Sequence, residues 1–402
     1  MLLPFVRSGA RGPRKRLSGI LLLALLFCVP SPAEADSGMT VYFAGVAYTS
    51  NASHIEQSFP YLSSLLGQDK GAVLNQNIRT LLQTQPLPEA ISFDSLGSIK
   101  NASKSVALAL GLDGETTAVE HIGNAYKLRV EISAQALFFN FKEKQVLGGF
   151  PFIIDFITVL PEQPSDADIQ KAFQGILFGT DGMHSLAGEF VHTLADAEIP
   201  LASNKHLRVT SSTLDTKALD YIRQYAPQID TGALPQQVAQ AFGTYLAANQ
   251  HISILPYGSN QALGSSMAAR FIEGEAYDLK IPDADYEIRL NVAGFKKIEA
   301  SHSDIATVYL YGAFVDVSVL EPLSGRIYFS QRIKQGLTKT IPASQTSLDD
   351  WPLTFDTLKT LFSNFTSSFS DKASPWLKSG LPPDATAKSQ FSSLKELIQS
   401  CR

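Results

Sequence analysis

Cysteine is almost missing from this sequence: Cys28 and Cys401 are the only two in 402 residues. Two cysteines build neither a disulfide framework nor a cysteine-based zinc site. Charge is sparse as well, at 18% of residues against the ~25% of ordinary domains. With 45% of the chain hydrophobic, that scarcity excludes wholesale disorder and leaves apolar material for two cores. A basic excess is lacking too. The 33 basic residues face 38 acidic ones, a net charge of −5, which excludes a protein that wraps a polyanion. Several catalytic signatures are absent. There is no Walker-type phosphate loop, no dinucleotide Gly-x-Gly-x-x-Gly, no Gly-x-Ser-x-Gly elbow and no histidine pair four apart enclosing a glutamate.

What is present begins with an address. Arg7, Arg11, Arg14, Lys15 and Arg16 lead into an apolar run from Ile20 to Val29, and Ala33-Glu34-Ala35 offers a small-x-small cleavage site. This is the pattern of a secretory signal peptide over 1–35, with the mature chain starting at Asp36. The run is short for a membrane-spanning helix. Phe27 before Cys28 fits a lipidation signal poorly. Cleavage removes five basic residues and Glu34, leaving 28 basic and 37 acidic residues and a net charge of −9. Only Cys401 remains, so no internal disulfide is possible. An exported chain of this size without disulfides fits the bacterial periplasm, secretion being the alternative.

The mature chain repeats itself. The segments GAVLNQNIRTLLQ from Gly71 and GALPQQVAQAFGTYL from Gly232 both look like a helix opening after glycine. Tyr61 pairs with Tyr221, Ile91-Ser92-Phe93 with Ile252-Ser253-Ile254, and Ala109–Val130 with Ala269–Leu290 without a gap, so that Tyr126 and Arg129 face Tyr286 and Arg289. A period near 160 residues is a whole domain, hence a tandem pair. The expected fold class is α/β (α+β), with two tandem related domains, each a mixed sheet packed with helices. The N-terminal domain spans 36–197, its duplicate spans 198–370, and a linker and terminal helix fill 371–402. Strands are expected at 41–48, 90–93, 207–211, 252–255, 286–295, 307–320 and 326–333. Helices are expected at 73–84, 104–112, 168–178, 236–248, 261–272, 354–369 and 388–400.

Candidate chemistry is thin, and no catalytic, cofactor-binding or metal-binding residue is assigned. His184, Glu189 and His192 lack zinc-hydrolase spacing. Gly264-Ser265-Ser266 lacks the second glycine of an elbow, and Ser392-x-x-Lys395 lacks the companion motifs of its enzyme class. Asp283 and Asp285 share one side of an extended segment but read as a solvated turn, and Asp349-Asp350 reads as the charged start of a helix. The pairs Tyr126/Arg129 and Tyr286/Arg289 put tyrosine and arginine on opposite strand faces. Phe150, Phe152, Phe156, Tyr309, Tyr311 and Phe314 read mostly as core, and any of them left exposed on a sheet face marks a partner surface.

Ala284-Asp285-Tyr286, Val315-Asp316-Val317-Ser318-Val319 and the stretch from Glu321-Pro322-Leu323-Ser324-Gly325 through Phe329 resemble the C-terminal sheet of CsgG-like exported envelope domains. The resemblance covers about 250–370 and extends through the repeat to 40–195. It implies an exported α/β domain that binds other proteins in secretion, assembly or regulation at the outer membrane. The chain departs from the curli channel: it lacks a convincing lipobox and a pair of long amphipathic hairpins. The expected function is a periplasmic, non-enzymatic assembly or scaffold factor without cofactor that docks to envelope proteins. The rival is a small-molecule or glycan binder, or a hydrolase, using a cleft between the copies.

Overall fold

The computed structural model describes residues 41–49, 55–67, 70–87, 91–92, 106–179, 184–200, 205–257, 266–272, 274–345, 348–371 and 374–401. The signal sequence and Cys28 lie outside them. The fold is α/β: two related units in tandem, each a mixed sheet packed with helices.

The first unit opens with strand β1 (Val41–Tyr48), followed by helices α1 (Ile55–Ser58), α2 (Pro60–Leu66) and α3 (Lys70–Thr84) and the short strand β2 (Ile91–Ser92). Three long strands follow, β3 (Val106–Ile122), β4 (Ala125–Asn140) and β5 (Gln145–Leu160), then helices α4 (Asp166–Phe178) and α5 (Leu186–Ala195). A Ser165–Asp168 capping box starts α4. The second unit has β6 (Leu207–Leu214), α6 (Thr216–Tyr225) and α7 (Leu234–Gln250). After the hairpin β7 (Ser266–Phe271) and β8 (Ala276–Lys280) come β9 (Tyr286–His302), β10 (Ala306–Glu321), β11 (Arg326–Pro342) and α8 (Asp350–Ser367). Helices α9 (Trp376–Gly380) and α10 (Ala385–Gln399) complete it.

Both sheets use one wiring. Strand β1 runs parallel to β3, and β3, β4 and β5 are antiparallel neighbours; β6, β9, β10 and β11 repeat this order. Their irregularities coincide. One residue bulges between Phe43 and Gly45 of β1, and one between Val209 and Ser211 of β6. Asp113 bulges in β3 seven residues after Val106, and Ala293 bulges in β9 seven after Tyr286. Leu147 bulges opposite Phe138/Phe139, and Tyr328 opposite Val319/Leu320. Bulges re-aim a strand, so shared positions mean shared curvature.

This register corrects the gapless pairing of Ala109–Val130 with Ala269–Leu290. Val106, not Tyr126, stands where Tyr286 does, because the second unit carries the extra hairpin β7–β8. That hairpin lies within the expected second domain, 198–370, yet pairs with the first sheet. Strand β7 adds to β1 and β8 to β5, closing six strands into a ring. Two expected helices are strands: 104–112 belongs to β3, and the described part of 261–272 belongs to β7. The segment 371–387 is no loose linker, since α9 puts Trp376 against Phe365 at 5.9 Å.

Each unit buries its own core. Helices α2–α5 cover one face of the first sheet around Phe43, Leu108, Phe138 and Phe173. Helices α6, α7, α8 and α10 cover one face of the second sheet around Val315, Phe329, Phe362 and Phe365. A third cluster, with Ala107, Ala109, Leu137, Phe139, Phe271 and Leu279, fills the ring under the hairpin.

Candidate functional site

Two places on the molecule gather chemistry: the junction between the units, and the face of the second sheet away from its helices. The junction forms where α7 and α8 meet the first sheet. Alternation along β4 puts Arg129, Glu131, Ser133 and Gln135 on the face opposite the helical core. Arg129 pairs with Asp155 of β5 and Asp356 of α8, each at 2.9 Å, and with Glu131 at 3.3 Å. Lys359 of α8 reaches Glu131 at 2.6 Å, with both side chains buried. Burial alone would lower the Arg129 pKa, but the carboxylates of Glu131, Asp356 and Asp155 outweigh it and raise it. Charge placed this way clamps the units together.

Beside the clamp, Asp113 is fully enclosed. Gln135 Nε2 donates to both its oxygens, at 2.7 and 2.9 Å, and Thr49 Oγ1 contacts Oδ1 while lying 3.0 Å from the Leu112 carbonyl. Burial pushes the Asp113 carboxyl up to about 6 against the two hydrogen bonds. Thr49 has one hydroxyl hydrogen. When it goes to the Leu112 carbonyl, the contact with Asp113 closes only if Asp113 carries the proton, which agrees with the raised value. The cavity here holds about 60 Å³ and is lined by Thr49, Asp113, Gln135, Gln240 and Tyr257 among others. That is space for a few water molecules, well below the ~300 Å³ at which ligand pockets begin.

The residues singled out in the sequence do not converge. His184 precedes α5 and is exposed, while Glu189 and His192 lie a turn apart on that helix. Among the described residues no three His, Cys, Asp or Glu side chains are placed to hold a metal ion. Ser392 donates to the Lys388 carbonyl at 3.1 Å on an exposed turn of α10. Asp285 accepts from the His206 amide at 2.7 Å. Asp349 caps α8 through the Trp351 amide, and buried Asp350 takes Lys297 at 2.7 Å and the Tyr311 hydroxyl at 2.6 Å. Gly264 and Ser265 lie outside the described residues. Arg289 pairs with Glu287 on the open face, whereas Arg129 sits in the clamp, so the two arginines are not counterparts. Of the six aromatics, Phe150 and Phe152 are core and Tyr311 is fully buried; Phe314 points to the other side of β10 and is half-exposed.

That other side of the second sheet is the position at which the first sheet meets the clamp. In the second unit it is open: Leu310 and Ile298 are exposed at 37% and 50%, and Lys296 and Lys334 stand beside Phe314.

No protein-family model matches the chain, and no curated protein matches it. Among solved structures, one described as an NTF2-like protein involved in plasmid conjugation covers 60% of this chain and 80% of its own, at 9% identity and a TM-score of 0.11. A likeness that slight carries no argument about fold or function.

Proposed function

We propose that this chain is a periplasmic, non-enzymatic protein-binding factor that serves assembly or scaffolding in the bacterial cell envelope. One observation carries the reading: the junction between the units is filled and clamped by charge, while the corresponding face of the second unit stands open. A clamped pair of units presents fixed surfaces, and an open apolar face flanked by charge is what a partner covers. The leader sequence supports export. No helix among the described residues is long and apolar enough to cross a membrane. The rival reading, a glycan or small-molecule site in the cleft, is disfavoured by a cavity of about 60 Å³. Affinity capture from a mildly solubilised envelope extract tests the proposal. A stoichiometric protein partner is expected, and repeated recovery of the chain alone would sink it.

A further inference from the structure

The open face has a defined layout. Three strands contribute side chains in rows: Phe314 beside Lys334, Lys296 beside Gly312 and Gly336, and Ile298 beside Leu310 and Thr338. The glycines are placed with purpose. A Cβ on Gly312 would meet the Phe314 ring at 3.3 Å, and one on Gly336 would meet Leu310 Cδ1 at 3.3 Å. Both apolar side chains therefore lie flat over glycine and make a low platform. Glycine inside a strand weakens it, and its presence there marks a place where another backbone comes close.

The first unit shows what such a face receives. Counting back from the shared bulge, Ser133, Glu131 and Arg129 occupy the positions of Phe314, Gly312 and Leu310. The first-unit positions are met by a helix, α8, through Asp356 and Lys359. The first sheet offers both signs of charge, and α8 answers with both. The second sheet offers Lys296 and Lys334, neither with an acidic partner among the described residues; Lys296 lies 5.8 Å above the Phe314 ring. The adjacent edge of β11 is already engaged, because Gln390 accepts from the Ser330 amide and Gln335 donates to the Gly336 carbonyl. Recognition by strand addition is therefore obstructed, and the face is the accessible feature. A second copy meeting it face to face would set lysine against lysine.

We infer that this platform is a docking site for an amphipathic helix of a partner protein, whose apolar stripe lies on Phe314, Leu310 and Ile298 and whose flanking carboxylates reach Lys296 and Lys334. The inference deepens the docking function proposed above and rests on it. The test uses the mature chain and two synthetic 18-residue helical peptides with one leucine stripe, flanked by glutamates in one and by lysines in the other. Fluorescence anisotropy should show saturable binding of the glutamate peptide and at least tenfold weaker binding of the lysine peptide. The K296E/K334E variant should reverse that preference, and Phe314→Ser, which installs the residue of the first unit, should weaken binding at least tenfold without changing the circular dichroism spectrum. Binding indifferent to Lys296 and Lys334 overturns the inference. So does a charge-dependent association with phosphatidylglycerol vesicles or with a second copy that persists where the peptide fails. A photo-crosslinker in cells separates the two levels of the proposal. Adducts from Gln174 on α4 but none from Leu310 reject this surface and leave docking intact, whereas no adduct from any surface position rejects docking itself.

Discussion

Asp113 shows how one side chain sets a pH dependence for the whole protein. Its carboxyl titrates near 6 in the fold and near 3.8 in an unfolded chain. Between those values the folded state holds the proton that the unfolded state has lost, so stability falls as pH rises from about 4 to 6 and stays lower above. The gap corresponds to roughly 3 kcal/mol. Asp113→Asn should flatten the denaturation midpoint between pH 4 and 7 and leave the variant more stable than wild type at pH 7.5 but not at pH 4. A wild-type midpoint that climbs through this window would refute the assignment. The same pocket depends on backbone approach. A Cβ at Gly149 would lie 2.5 Å from Gln135 Oε1 and one at Gly111 would lie 2.9 Å from Thr49 Cγ2. Gly149→Ala should therefore cost about 1–3 kcal/mol by displacing Gln135 from Asp113, read by urea denaturation.

At the scale of elements, the contact between α8 and β4 is ionic where most helix-to-sheet contacts are apolar. Lys359→Met leaves buried Glu131 with only Arg129, 3.3 Å away, and should cost about 3 kcal/mol; pairing it with Glu131→Leu should restore much of that loss. A double-mutant cycle by chemical denaturation checks the coupling, and additive losses would show that the pair is not a unit. Nothing local in the sequence announces this contact, since Arg129 and Asp356 are 227 residues apart. The long strands β9, β10 and β11 were legible because one face is wet and apolar residues alternate. Strand β3 was misread as a helix for the opposite reason. Its run from Val106 to Leu112 is buried on both faces, between the helical core and the ring, and a continuous apolar run has no period. Phe314 could be flagged as an aromatic on a sheet, but its partners Gly312 and Gly336 acquire meaning only when the strands are registered.

At the scale of the molecule, the layers alternate: helices α2–α5, the first sheet, helices α7 and α8, then the second sheet. The hairpin β7–β8 breaks the independence of the units. It is carried by the second and spent on the first, where Ala269, Phe271 and Leu279 cover Ala107, Ala109, Leu137 and Phe139. Without it, the apolar side of the first sheet would face water at the level of those side chains, and β1 and β5 would become open edges. A fragment ending at Pro200 should therefore retain far-ultraviolet signal from α3, α4 and α5 but bind the dye ANS and melt broadly, in the manner of a collapsed state without fixed packing. The full mature chain should melt in one transition, because the clamp and the hairpin both tie the first core to the second. Deleting 266–280 from the full chain should broaden that transition and induce dye binding while the second core, around Phe362 and Phe365, keeps its own unfolding step. A fragment that folds with a sharp melt and no dye binding would show that the first unit closes its sheet without the borrowed hairpin, and the covered face could then not be explained by it.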